Sequence, residues 1–204
     1  MKLKKIASLM LAGVMAVSML AGCSGKTEEK PGAENPEVTP VTGAAAALNA
    51  ELDNNKGKLT FSEDSSIENM VKVYFANHQI KASDWDVSNP LTVDDDLSEF
   101  IADGIDATFK TTSTTMSGIS NDSAEKKATG VVVVEANAKL FNEDAVLKYL
   151  GQYLDSIELA DVDTTGNRAY NYTGTVSVAK AESKGGDASA WVVAIVLTRD
   201  VADK

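Results

Sequence analysis

The chain has 204 residues, with 19 Lys and Arg against 30 Asp and Glu, a formal net charge of −11 and a sequence pI near 4.5. It contains a single cysteine, which excludes a disulfide within the chain, a Cys-x-x-Cys redox pair and a Cys-ligated zinc site. Nucleic acid is not an expected partner, because neutralising a polyphosphate takes a cluster of Lys and Arg that this sequence lacks.

Lys2, Lys4 and Lys5 precede an uncharged apolar stretch from Ile6 to Leu20, which ends at Leu20-Ala21-Gly22-Cys23. A basic start, a short apolar run and small residues at its end are the layout of a secretory signal peptide. The run is about 15 residues, short of the ~20 that a helix needs to cross the hydrocarbon. Leu20-Ala21-Gly22-Cys23 resembles the lipobox of bacterial lipoproteins. That resemblance implies removal of residues 1–22, a diacylglycerol on the thiol of Cys23 and a domain held outside the cell membrane by its lipid. An ordinary signal peptide with an incidental cysteine is the alternative. Two or three acyl chains give a lasting anchor where one does not. The chain from Cys23 onward carries 16 basic and 30 acidic side chains, a formal charge of −14, which suits a soluble domain standing off an anionic surface.

Residues 23–57 read as a lipidated cysteine and a Pro- and Glu-rich tether. Pro31, Pro36 and Pro40 are three of the four prolines in the chain, and residues 24–42 read as unfolded chain, ~60 Å long when stretched and ~25 Å on average. Ala44 to Leu52 is a candidate short helix, and Asn54-Asn55-Lys56-Gly57 a turn. Residues 58–204 suffice for one domain with its own core.

Within that domain Ser65 and Glu68 form a capping box, after which Ile67, Met70, Val71, Tyr74 and Phe75 recur at helical spacing. Asp94, Asp95 and Asp96 then precede Leu97, Phe100, Ile101, Ile105 and Phe109, three and four apart, with acids where a helix start is electropositive. A third helix starts at Asn142 and places Val146, Leu147, Leu150, Tyr153, Leu154 and Ile157 on one side. Val131 to Val134 and Trp191 to Leu197 read as strands covered on both faces. Tyr170, Tyr172, Gly174, Val176 and Val178 alternate as in a strand with one wetter side, and Lys184-Gly185-Gly186-Asp187 turns it into the last strand as a hairpin. The expected class is α+β, about three helices packed on a small, partly antiparallel sheet.

The same order resembles the SCP-like, or CAP, superfamily of secreted domains. Pro90-Leu91-Thr92-Val93-Asp94, leading into Asp95-Asp96-Leu97, is similar to its Pro-Leu-Thr-x-Asp segment before the second helix. Trp191 to Val196 resembles its aromatic final strand. The resemblance implies an α-β-α sandwich. It does not extend to a site: metal-binding or catalytic members carry two histidines with acidic partners, and neither histidine is present here. Val133-Val134-Glu135-Ala136-Asn137 stands where the family has a Gly-Glu-Asn segment.

Five places could carry chemistry. His78, the single histidine, falls near the end of the first long helix, where it could finish the helix or act as a general base beside a carboxylate. Asp161, Asp163, Thr165 and Asn167 alternate before and after Gly166 like the first half of a calcium loop, although the twelfth position is Tyr172 rather than Glu; a helix-to-strand turn explains the same residues. Calcium is the one cofactor the sequence suggests. Asp94, Asp95, Asp96, Glu99, Asp103 and Asp106 are either a cation stripe or the wet face of a helix. Residues 111–123, rich in Thr and Ser and ending near Lys126 and Lys127, read as a long surface loop of the kind that often binds something. Trp85, between Asp84 and Asp86, is suited to stacking on a sugar ring or to covering a sheet edge, and Trp191 to packing.

These features point to an extracytoplasmic, membrane-anchored module that binds an envelope protein or wall polymer without catalysis. A hydrolase using His78 and nearby carboxylates is the alternative. A solute-capturing lipoprotein of a transporter ranks last, because the domain is too short for two lobes.

Overall fold

The structure is a computed structural model that describes residues 35–80, 91–109 and 112–204. In chain order its elements are β1 (Glu37–Val41), α1 (Ala44–Ala50), β2 (Phe61–Glu63), α2 (Ser65–Phe75), β3 (Thr92–Val93), α3 (Asp95–Gly104), α4 (Thr112–Ile119), β4 (Ala128–Asn137), α5 (Glu143–Asp155), β5 (Arg168–Glu182) and β6 (Ser189–Asp203). The strands form one sheet in the order β1-β5-β6-β4-β3, with β2 pairing parallel to β5. The expected hairpin of β5 and β6 is present, with Glu182 opposite Ser189 and Gly186 turning at φ 69°.

Because alternate side chains of a strand face opposite ways, β4 sends Val132, Val134 and Ala136 into one core and Val131 and Val133 into another. β6 divides likewise into Val193, Ile195 and Leu197 against Val192, Ala194 and Val196. On the first face lie Leu48 of α1 and Val146, Leu147, Leu150 and Leu154 of α5. On the second lie Ile67, Val71 and Phe75 of α2 with Leu97 and Ile101 of α3. The result is an α-β-α sandwich of the α+β class, and covering both faces is what makes the central strands read as unbroken apolar runs. Each Val, Leu, Ile or Phe among these side chains, fully buried, contributes ~1.5–3 kcal/mol of transfer free energy.

Several local expectations are corrected. The folded domain extends well before residue 58: Pro36 is buried, Asn35 Nδ2 donates to Ala76 O, and β1 pairs antiparallel with β5 over its whole length, Glu37 opposite Glu182 and Val41 opposite Val178. Pro40 is tolerated because β1 is an edge strand, where a missing N–H can face outward. α1 then buries Ala44 and Leu48 in the core, so residues 35–57 of the expected tether belong to the domain. The cap of α2 is Asp64, whose carboxylate accepts from Ser66 N at 2.8 Å; Glu68 instead pairs with Lys72 at 2.6 Å. α3 stops at Gly104, and Asp106 at φ 56° turns the chain. Phe109 therefore lies outside the helix and bridges to Gly130 of β4. Tyr153 of α5 is 45% exposed rather than part of the buried face.

The predicted turn at residues 54–57 is present and does more than turn. Asn55 is buried, and its amide donates to the carbonyls of Leu154, Asp155 and Ile157 at 3.0, 3.2 and 2.9 Å. The Asp155 carboxylate accepts in return from Asn54 N, Asn54 Nδ2 and Asn55 N at 2.7, 2.7 and 2.9 Å. Carbonyls at a helix C-terminus lack partners within the helix, and Asn55 supplies them from a segment about a hundred residues earlier in the chain.

Candidate functional site

Residues 111–123, expected to form a loop, contain α4. Ser and Thr are poor helix formers, and this helix is held by close packing instead. Thr115 is buried and its hydroxyl donates to Val131 O at 3.2 Å. A Cβ on Gly130 would fall 2.5 Å from the Thr115 methyl, and one on Gly118 would fall 2.2 Å from the Phe109 ring. Glycine at both positions lets α4 approach the sheet edge that Phe109 occupies.

The chain leaving α4 is fastened from below. Arg199 of β6 is 2% exposed, and its Nη1 donates to the carbonyls of Gly118, Ile119 and Asn121 at 2.5, 3.0 and 3.3 Å. Its Nη2 donates to Lys126 O at 3.1 Å. The guanidinium lies over the Tyr170 ring at 5.4 Å, and the Tyr170 hydroxyl donates toward the carbonyls of Asp122 and Ala124 at 3.0 and 2.9 Å. The carbonyls at the end of α4 carry the negative pole of the helix and partly offset the cost of burying a cation. The offset is incomplete: Arg199 has no carboxylate partner among the described residues, and its Nε is buried with no hydrogen bond.

Between α4 and residues 121–128 lies an open groove of about 530 Å³ that includes Phe109, Asn121, Glu125, Lys126, Lys127 and Arg199 in its lining. Glu125 is its one acid and pairs with Arg168 at 3.5 Å. Lys127 pairs with Asp200 at 2.8 Å, while Lys126 is exposed and forms no ion pair among the described residues. In a chain with a net charge of −11, this lining has a surplus of cations.

Of the places singled out from sequence, the segment 111–123 with Lys126 and Lys127 lines this groove, and the others among the described residues are not in its lining. His78 is exposed beyond the end of α2; its Nδ1 lies 2.8 Å from Tyr74 O, and its ring stacks on Tyr74 at 4.0 Å with 5° between planes. It finishes its own helix. The Asp161 carboxylate meets Lys58 Nζ at 3.4 Å. Asp163 accepts from Thr165 Oγ1 at 2.6 Å and from Arg168 N at 3.0 Å, and Asn167 Nδ2 donates to Thr165 Oγ1 at 3.0 Å. These hydrogen bonds hold the Asp163 carboxyl below the usual carboxylate range. The oxygens of the proposed calcium loop thus serve a turn before β5. No group of three or more His, Cys, Asp or Glu able to hold a metal occurs among the described residues. In the acidic stripe Asp94 caps α3, accepting from Leu97 N at 3.0 Å, and Asp95, Asp96, Glu99 and Asp103 lie on its exposed side. Trp191 packs as expected, its Nε1 donating to Phe141 O at 2.9 Å. Cys23 and Trp85 lie outside the described residues.

Arg199 was missed, and a signal for it exists. It continues the inward phase of Val193, Ile195 and Leu197 and precedes Val201 in the same phase, so strict alternation points a guanidinium into the core. No helix among the described residues is long and apolar enough to cross a membrane. No protein-family model matches the chain, and neither a curated protein nor a solved structure does so.

Proposed function

We propose that this chain is a bacterial lipoprotein, anchored outside the cell membrane through Cys23, whose α+β domain binds a ligand rather than transforming one. The observation that carries the reading is Leu20-Ala21-Gly22-Cys23 behind a basic start and a short apolar run. Binding is supported by the groove beneath α4, and a non-catalytic role by the engagement of His78 with its own helix. The three-layer sandwich and the Thr92-Val93-Asp94 lead into α3 support kinship with SCP-like domains that have lost their histidine site. An envelope protein or wall polymer is the partner class that suits this location.

The test is expression of the full chain in bacteria fed labelled palmitate. Label should enter the wild-type protein in the membrane fraction and be absent from Cys23→Ala. An unlabelled protein that keeps Met1 and stays in the cytosol would overturn the proposal.

A further inference from the structure

We propose that the groove beneath α4 binds the oxyanion group, carboxylate or phosphate, of a small ligand or of a polymer unit, a proposal that rests on the binding-module reading. Three observations point the same way. First, the buried Arg199 guanidinium is met by backbone carbonyls and an aromatic face alone, with Nε unpaired. Carbonyl dipoles neutralise a buried cation only in part, so some of its field reaches the groove that it lines.

Second, the charges at the rim are sorted. Glu125, the acid in the lining, is engaged by Arg168 on the side of β5, and Asp200 holds Lys127 at 2.8 Å. Lys126 is left with no counter-ion among the described residues while its own carbonyl is fixed by Arg199. Its backbone is therefore placed by the buried cation, and its ammonium is available to an incoming anion. Third, the groove offers more than charge: Phe109 gives an apolar wall and Asn121 an amide. A ligand with an anionic head and an apolar or sugar-like body fits that lining better than a bare ion.

The experiment uses the full chain purified in detergent, titrated by calorimetry with inorganic phosphate and separately with glutarate. Saturable binding of at least one anion is expected, weakening as sodium chloride is raised. Lys126→Gln should lower the affinity about tenfold, the size of one lost charge-assisted contact, with no change in melting temperature, while Lys148→Gln on α5 should leave it unchanged. Binding of phosphate alone assigns a phosphate ligand, and of glutarate alone a carboxylate. The proposal is overturned if neither anion binds saturably, or if Lys126→Gln binds as the wild type does. Either result leaves the palmitate test untouched, so failure here and failure of the lipoprotein reading remain separate.

Discussion

Two buried polar side chains close helix C-termini in this domain, and they do so differently. Asn55 closes α5 with three donated hydrogen bonds, and Asp155 returns three acceptances to the same turn. No buried side-chain nitrogen or oxygen is left unpaired there among the described residues. Arg199 closes α4 with two donations and holds the chain beyond it with two more, but it brings a charge without a counter-charge among the described residues and leaves Nε unpaired. The first arrangement is complete and serves stability. The second is incomplete, and it lies beside a groove with a surplus of cations.

Substitutions at the two closures should separate these roles. The largest effect is expected from Asp155→Ala, which strips acceptors from Asn54 N, Asn54 Nδ2 and Asn55 N in a buried turn; about 3 kcal/mol should be lost in urea unfolding. Arg199→Met removes the charge while keeping most of the volume. Its desolvation penalty disappears with it, so the loss should be smaller, about 1–2 kcal/mol, whereas oxyanion affinity should vanish. A loss from Arg199→Met exceeding that of Asp155→Ala would erase the contrast and make Arg199 a structural closure first. Gly118→Ala drives a methyl into the Phe109 ring and should cost about 1–2 kcal/mol through overpacking, narrowing the groove from inside.

The smallest effects lie in pH dependence. Tyr172 donates to Ala160 O at 2.9 Å, and burial pushes its hydroxyl up to about 12 from the ordinary 10.0. A group whose pKa is raised by folding stabilises while it is protonated in both states, and that contribution is lost as pH climbs from the unfolded value toward the folded one. Melting temperature should therefore fall between pH 10 and about 12, and the fall should shrink in Tyr172→Phe. Asp163 acts with the opposite sign: its carboxyl is held low, so its stabilisation is present at neutral pH and is lost as pH drops through the carboxylate range. Asp163→Asn should flatten that acid limb, read by thermal melts at stepped pH.

Elements governed by a single period were legible in the sequence. α5 carries its Asn142 cap and apolar stripe within one short stretch, and the central strands are apolar because both faces are covered. What escaped reading depends on distant partners. β1 has the composition of a linker, and only its pairing with β5 makes it a strand. α4 is built from residues that disfavour helices, and Gly118, Gly130 and Thr115 hold it by closeness rather than by apolar periodicity. The groove was legible in part: residues 111–123 with Lys126 and Lys127 stood out as a binding segment, but the buried cation that lines the groove with them lies on β6, beyond any local window. His78, Asp161 and Asp163 stood out because rare or alternating residues are conspicuous in a string, yet each is satisfied within a few residues or by one ion pair.

The register of the edge strand fixes a polarity for the whole particle. Glu37 lies opposite Glu182, beside the hairpin turn into Ser189. Arg199 lies ten residues farther along β6, about 33 Å away at the usual rise per strand residue. Thirteen residues separate Cys23 from Glu37 and reach at most ~50 Å. A chain acylated at Cys23 would therefore enter the domain at the hairpin end of the sheet, about 33 Å from its cationic mouth.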